Sequence, residues 1–269
     1  MLSRLPRSIK IASLLAVAAG GVVLASFECP RLVESIIRPV YASEKSKDTP
    51  ASYFQRIAKD NSELAPLLEN NCQGLRDYLS GALAKLKHAT PKDYPKNVFW
   101  VKPSSKQLAV LNELQLIKIY YLLKSLSNPA FRAQIGKELE KDTADTSCEH
   151  GGVFLFRSGK VAIEMVPNEE IPEGEISIGS HNPDRGYNPE RIPHVLNMLG
   201  LFHFHARQFG LEYSALSGGD TLEARPYGFT EHFVFSRPDA SHFNVDMGIA
   251  LKRKGKWEVI DIDLGVYSH

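Results

Sequence analysis

The chain has little that would direct it to nucleic acid, because its positive and negative charges almost cancel. Its 32 lysine and arginine residues oppose 31 aspartate and glutamate residues, a formal net charge of +1, and no lysine- or arginine-rich stripe occurs. So small an excess charge produces no field that attracts a phosphate backbone. Internal repeats and low-complexity tracts are also missing. The 269 residues, 43% of them hydrophobic, are typical of a globular protein of one or two domains.

Cysteine is scarce as well. The chain has three, Cys29, Cys72 and Cys148, and their spacing does not match a zinc knot. If the chain is exported and cut before Cys29, the other two remain as a pair that an oxidising compartment would allow to join. Two buried free thiols are the equal alternative.

The first 27 residues differ in composition from the rest. Three basic residues precede an uncharged run over 11–27 that is rich in alanine, leucine and valine. This is the pattern of an export signal, and it is also close to the shortest membrane span. Basic residues before the apolar run place the rest of the chain outside the cytoplasm. We expect a periplasmic or secreted protein with a cleaved signal peptide at 1–27, or a protein anchored in the membrane by residues 8–27.

The next part of the sequence predicts a linker and then helices. Residues 28–52 include a polar, turn-prone stretch that is typical of a linker. Residues 53–145 have apolar side chains at helical spacing, which favours a mostly helical region whose stripes pack in a core. Within this region one helix is predicted from about 105 to 126, and Asn128-Pro129 supplies the cap and first turn of another.

From about residue 146 the apolar spacing changes to that of β-strands. A Ser158-Gly159 turn between two short apolar runs predicts a hairpin. Three later strands are predicted, at Glu231–Phe235, Phe243–Leu251 and Trp257–Leu264. For residues 146–269 we therefore predict an α/β fold, a central mixed sheet flanked by helices, preceded by the mostly helical region.

Two aspartates lie on the last predicted strand. Asp261 and Asp263 alternate with apolar residues, and this alternation indicates a strand with one face in water. Both carboxylates are therefore expected on the wet face of an edge strand.

The apolar stretch Leu199-Gly-Leu-Phe-His-Phe-His205 is the strongest candidate for a functional site. Side chains two apart on a strand share one face, so the imidazoles of His203 and His205 point the same way. Ser217-Gly-Gly-Asp220 comes next, a turn-like helix start that brings a carboxylate toward the same place. Two imidazoles, one carboxylate and an open position for water make a catalytic rather than a structural zinc site. We predict a Zn²⁺ cofactor bound by His203, His205 and Asp220.

A second element lies upstream, where Glu149 precedes an apolar strand and is followed by His150-Gly-Gly152. Glycines at such a point allow a close approach of the backbone. A glutamate with a glycine pair, then His-x-His, then Ser-x-x-Asp, in this order, resembles the JAMM (MPN+/JAB) metalloprotease superfamily over about residues 147–269. The interval between His205 and Ser217 is about four residues longer than usual, roughly one helical turn, as in a divergent, prokaryotic-like variant.

The resemblance implies roles for the site residues and a class of substrate. It implies a JAB/MPN-like fold, a zinc-dependent hydrolase, Glu149 as general base and Ser217 as donor to the oxyanion. Family members often cleave isopeptide-linked ubiquitin-like proteins. An exported protein would instead meet a peptide or protein substrate, such as a cell-envelope amide. The alternative is a catalytically inactive JAB/MPN-like binding or scaffolding protein. The oligomeric state is left open.

Other families with His-x-His fit the sequence less well. An alpha-type carbonic anhydrase needs a third histidine, for which His232 is the sole candidate, and neither a cupin nor an amidohydrolase barrel explains Glu149-His-Gly-Gly. Should Glu149 not be the base, Glu164 and Glu175 are the next candidates. His150 is expected to point away from Glu149, because neighbours on a strand face opposite ways.

Overall fold

In this computed structural model of the protein, the structure describes residues 49–88, 105–145, 149–167, 169–170, 185–186, 195–205, 231–253 and 256–269. All of them belong to one compact unit, Asp48–His269. The signal or anchor predicted at 1–27 lies outside the described residues. Among the described helices, none has the length and apolar character needed to span a membrane.

Helices make up the first part of this unit. They are α1 (Pro50–Lys59), a 3-10 helix (Ala65–Leu68), α2 (Glu69–Leu83), α3 (Ser105–Ala109), α4 (Glu113–Leu126) and α5 (Pro129–Ala144). The helix predicted at Asn128-Pro129 is confirmed as α5, where the Asn128 side chain accepts a hydrogen bond of 2.9 Å from the amide of Ala130.

The single long helix predicted from about 105 to 126 is wrong, because the chain breaks between α3 and α4. Asn112 caps the start of α4: its side chain accepts from the Gln115 amide at 3.0 Å, and the Gln115 side chain accepts from the Asn112 amide at 3.1 Å. This reciprocal capping box satisfies backbone donors that a continuing helix would otherwise pair. The cap therefore overrides the continuous apolar spacing of the sequence.

In the described part of the chain, eight strands form two sheets. They are β1 (Gly151–Arg157), β2 (Lys160–Val166), β3 (Glu169–Glu170), β4 (Arg185–Gly186), β5 (Met198–His205), β6 (Glu231–Asp239), β7 (His242–Arg253) and β8 (Lys256–Ser268). Six of them form the main sheet in the order β2-β1-β5-β6-β7-β8, and β3 pairs with β4. Among the described strand pairings of the main sheet, only that of β5 with β6 is parallel. The predicted α/β architecture, a mixed sheet with helices, is confirmed.

The predicted hairpin between β1 and β2 is confirmed. Ser158 and Gly159 form its two-residue turn with φ angles of 49° and 79°. Positive φ at both central residues is the geometry that matches the twist of the two strands.

One face of the main sheet is apolar and packs on the helices. Its central side chains are fully buried phenylalanines, which belong to the same hydrophobic core as the apolar residues of α1, α2, α4 and α5. These residues are Phe154, Phe202, Phe204, Phe233 and Phe235. The stacked rings of Phe154 and Phe202 have centroids 4.6 Å apart. The helical region and the sheet thus share one core.

The opposite face of the sheet carries buried polar side chains beside a smaller apolar cluster that includes Leu201. Side chains alternate along a strand, so this face carries His203 and His205 on β5, His232 on β6, Asp246 on β7 and Asp263 on β8. His203, His232 and Asp246 are fully buried. The candidate site residues therefore lie on the side of the sheet away from the phenylalanine core.

The expectation for the two aspartates of β8 is only half right. The strand does lie at the edge of the sheet, but Asp263 is 1% exposed. His88, which lies after α2, closes over this edge and places its Nδ1 at 3.0 Å from Asp263 Oδ2. Asp263 also accepts a 2.7 Å hydrogen bond from the amide of Gly265. A contact from a distant part of the chain thus removes the carboxylate from water.

Candidate metal centre

The site lies where the end of β5 meets the start of β1. Gly151 pairs with His203 in the antiparallel ladder, and the amide of Phe204 donates a 3.0 Å hydrogen bond to the carbonyl of His150. The pairing of the two strands thus continues to the residue next to Glu149. This brings Glu149 beside the two histidines, although more than 50 positions separate them in the sequence.

Among the residues that the structure describes, three side chains converge at this point. The Nε2 atoms of His203 and His205 are 2.8 Å apart, and Glu149 Oε2 lies 4.0 Å from His205 Nε2. One ligand atom from each of the three residues lies within 4.8 Å of the others. His203 is fully buried, whereas the side chains of His205 and Glu149 are 16% and 13% exposed. The cluster can hold a metal ion and remains accessible on one side.

His203 is an uncharged imidazole at neutral pH. Its complete burial lowers its pKa well below the ordinary value of histidine, and the neighbouring imidazoles of His205 and His232 lower that pKa further. Metal binding needs a neutral imidazole with a free lone pair, because protonation occupies both ring nitrogens. Burial therefore keeps His203 in the form that a metal ligand requires.

The distances within the cluster can be compared with those of a zinc site. Two ligands of a tetrahedral zinc ion, each 2.0–2.1 Å from the metal, are about 3.3 Å apart. The two Nε2 atoms, at 2.8 Å, would have to separate by roughly half an ångström, which a small rotation of the rings supplies. Glu149 Oε2, at 4.0 Å from His205 Nε2, is about 0.7 Å farther than such a pair of ligands. The donor set suits zinc, although imidazole ligands also suit copper, iron and nickel.

The end of α5 fixes the segment that carries Glu149. The buried Asp142 carboxylate accepts a 2.5 Å hydrogen bond from the amide of His150, and Asp145 Oδ2 lies 2.9 Å from His150 Nε2. His150 therefore contacts α5 with its ring and is not one of the three converging residues. The helical region thus takes part in placing Glu149.

The presence of glycine in the pair after Glu149 has a steric explanation. A Cβ atom on Gly152 would lie 2.3 Å from the carbonyl oxygen of Glu164 and 2.8 Å from Cζ of Phe202. Both distances are shorter than real Cβ contacts, so only glycine allows β1 to lie this near its neighbours. The close backbone approach predicted for this pair is confirmed at Gly152.

One contact of the site was missed in the sequence. His203 Nδ1 lies 2.7 Å from His232 Nε2, so His232 contacts the side of the His203 ring that faces away from His205. The sequence offered His232 only as a third ligand in a different fold. No local signal could have shown this contact, because it depends on the parallel pairing of β5 with β6.

Of the remaining predicted site residues, the structure describes only Glu164. Ser217 and Asp220 lie outside the described residues, as does Glu175, so their roles stay predictions. Glu164 lies on the exposed side of β2, where its carboxylate pairs with Arg157 at 2.6 Å.

The predicted pairing of Cys72 with Cys148 can be checked at Cys72. Cys72 is a buried free thiol, so the disulfide alternative does not hold for it. Its suggested partner, Cys148, lies outside the described residues.

Comparisons with known proteins add no relative. No family model matches the chain, and searches of curated proteins and of solved structures found no match either. The JAMM resemblance stays a prediction, and what can be argued about function depends on the residues of the site itself.

Proposed function

We propose that this protein is a JAMM-like, zinc-dependent hydrolase that cleaves a peptide, isopeptide or related amide bond. The observation that carries the proposal is the convergence of His203, His205 and Glu149 at the junction of β5 and β1. Two imidazole nitrogens 2.8 Å apart, with a carboxylate slightly farther away, are a suitable arrangement for a metal with two nitrogen ligands and an adjacent base.

In this proposal His203 and His205 hold the ion through their Nε2 atoms, and Asp220 is the third ligand. A three-ligand site leaves one position for water or substrate, as catalytic zinc sites do. The side chain of His205 is partly exposed whereas His203 is completely buried, so substrate would approach from the side of His205.

Glu149 performs the proton transfers. When bound, zinc lowers the pKa of a coordinated water toward neutrality and polarises the scissile carbonyl. The Glu149 carboxylate accepts the proton of a water held between it and the histidines, and later donates that proton to the leaving amine. Glu149 Oε2 lies 4.0 Å from His205 Nε2, near enough to the two imidazoles for this role. Ser217 would donate to the developing oxyanion, a contribution of roughly 2.7–4 kcal/mol in comparable enzymes.

The proposed substrate is inferred from the proposed location. Basic residues before an apolar run indicate export or anchoring outside the cytoplasm. A peptide or a cell-envelope amide is therefore proposed in preference to a ubiquitin-like conjugate. The rival function is an inactive scaffold, which the long interval between His205 and Ser217 favours.

Metal content and hydrolysis together test the proposal. We expect about one equivalent of zinc per chain in purified protein, and hydrolysis of amide or isopeptide substrates that a chelator abolishes and added zinc restores. Metal-free protein whose folding and behaviour are unchanged by His203→Ala would support the scaffold instead. Bound zinc without hydrolysis of any substrate tested would count against the catalytic part of the proposal.

A further inference from the structure

We propose that His232 is a positioning residue of the metal centre, which accepts a hydrogen bond from the Nδ1–H of His203 and so leaves His203 Nε2 unprotonated for the metal. The inference rests on the proposed function for the role of the centre.

The two imidazoles are in direct contact. His203 Nδ1 and His232 Nε2 are 2.7 Å apart, and the ring centroids are 4.7 Å apart. Both side chains are fully buried. At this distance and burial the pair is a hydrogen bond between two nitrogens, one of which must carry the proton.

The backbone around His232 is held firmly, so its ring has a defined place. His232 pairs with Leu201 in the parallel ladder. The preceding residue, Glu231, forms a buried ion pair with Lys118 of α4 at 2.9 Å, and the next residue, Phe233, is fully buried in the core. Helix α4 and the phenylalanine core thus fix both neighbours of His232.

The proton position on His203 decides whether it can bind a metal. A neutral imidazole carries one N–H, and each ring nitrogen of His203 has an imidazole nitrogen within 2.8 Å. If the proton is on Nε2, that atom has no lone pair for a metal. If it is on Nδ1, the proton bonds His232 and Nε2 is available. An acceptor at His232 therefore selects the tautomer that binds metal.

Metal-binding histidines generally need a hydrogen-bond acceptor for the ring nitrogen that does not bind the metal. Such histidines usually donate their other N–H to a carboxylate, a carbonyl or a water, and loss of this partner typically costs 10–100-fold in metal affinity. Here the acceptor is an imidazole nitrogen, 2.7 Å from His203 Nδ1. The geometry therefore gives His232 an orienting function without making it a ligand.

The test compares replacements of His232 in the full chain, with Zn²⁺ affinity measured by chelator competition and ligand geometry by the absorption of bound Co²⁺. His232→Gln places an amide oxygen near the position of Nε2 and should retain affinity within a few-fold. His232→Asn carries the same group on a shorter side chain and should lose 10–100-fold, with an altered Co²⁺ spectrum. His242→Gln is the matched control, since His242 lies on the surface beside Asp239, and it should change neither measurement.

The outcomes separate this inference from the proposed function. Failure of the wild-type protein to bind Zn²⁺ or Co²⁺ would contradict the proposed function. Tight binding by the wild type, with equal affinity in the Gln and Asn variants, would overturn the role of His232 alone. Both variants carry an amide, so a shared folding defect would not imitate the expected difference between them. Nitrogen-15 NMR of the metal-free protein adds a direct readout, because a proton found on His203 Nε2 would contradict the proposed tautomer.

Discussion

Gly151 of β1 lies opposite His203 of β5 in the antiparallel ladder. This single pairing sets the distance between Glu149 and the two histidines, since Glu149 stands two residues before Gly151. A shift of one residue in register would turn the histidines to the phenylalanine face. The chemistry proposed for the centre therefore depends on this register and on the contacts that maintain it.

Replacing the proposed base and replacing a proposed metal ligand should have different effects on zinc binding and turnover. Glu149→Gln keeps the shape of the side chain but cannot accept a proton, so zinc should remain bound while turnover is abolished. His205→Ala should lose both metal and activity, because few ligands remain to hold the ion against a chelator. Ser217→Ala should keep metal and lose about a hundredfold to a thousandfold in rate. Zinc analysis and initial rates check the order, and near-normal hydrolysis by Glu149→Gln with zinc bound would refute the mechanism.

Asp142 should affect catalysis from a distance. Asp142→Ala removes the acceptor of the His150 amide and leaves that amide without this bond. We expect zinc affinity within a few-fold of the wild type and a kcat reduced by about tenfold, because misplacing a reacting group lowers the rate more than binding. Lys141→Ala, at an exposed position of the same helix turn, is the control and should leave kcat unchanged. Equal kcat in both variants would show that α5 does not position Glu149.

Gly152 should tolerate no side chain. In Gly152→Ala the new Cβ would meet the Glu164 carbonyl oxygen at 2.3 Å, so the strand must shift at a cost of about 1–3 kcal/mol or more. Gly81→Ala is the matched control, because a Cβ there meets nothing within 4 Å and alanine favours a helix by roughly 0.5–1 kcal/mol. Urea unfolding of the two variants should move in opposite directions. An unchanged midpoint in Gly152→Ala would contradict the close packing of β1.

The neighbouring aspartates on β7 and β8 should make stability depend on pH. Burial, together with the Asp263 carboxylate, raises the pKa of Asp261 to about 7. Burial raises the pKa of Asp246 well above its usual value, and Asp261 and Asp263 add to that rise. Asp263 also pairs with His88. In the part of the chain that the structure describes, Oδ1 of Asp246 and of Asp261 lack hydrogen-bond partners.

The sign of this dependence is set by the direction of the shift. An unfolded aspartate titrates near pH 3.9, below the folded-state pKa of Asp261, so the contribution of this group is fully present below about pH 4 and is lost as pH rises through about 7. His203 acts oppositely: its folded pKa is lowered, so its contribution is present above about pH 6.5 and lost on acidification. The difference between Asp261→Asn and the wild type isolates the aspartate.

We expect Asp261→Asn to gain stability over the wild type between pH 5 and pH 8, by up to a few kcal/mol at the upper end. Urea unfolding at several pH values checks this, with Asp239→Asn on the surface as control. That carboxylate has a pKa lowered to about 2, so it is ionised throughout the range and should add no slope. Parallel curves for Asp261→Asn and wild type would rule out a neutral Asp261.

Local signals in the sequence predicted local structure correctly. The Ser158-Gly159 turn and the Asn128 cap act over two to four residues, so the sequence contains all that determines them. The break at Asn112 had a local signal too, its capping box with Gln115, but the apolar spacing on both sides concealed it.

Contacts between segments that are distant in the sequence could not be predicted from it. The burial of Asp263 depends on His88, 175 positions away, and the His203–His232 bond spans 29 positions and a parallel strand pairing. Alternation along one strand shows which side chains share a face, but not what covers that face. The convergence of Glu149 with the two histidines was expected only because a family resemblance supplied it.

The phenylalanine face has a practical consequence for anyone who would reduce this protein to its metal-binding half. A fragment of residues 146–269 would carry Phe202, Phe233 and their neighbours on an unprotected sheet, and Glu231 would lose Lys118. Bare aromatic sheets associate with one another, so such a fragment should precipitate rather than function. Grafting the centre into another scaffold would therefore require transplanting α4 and α5 with it.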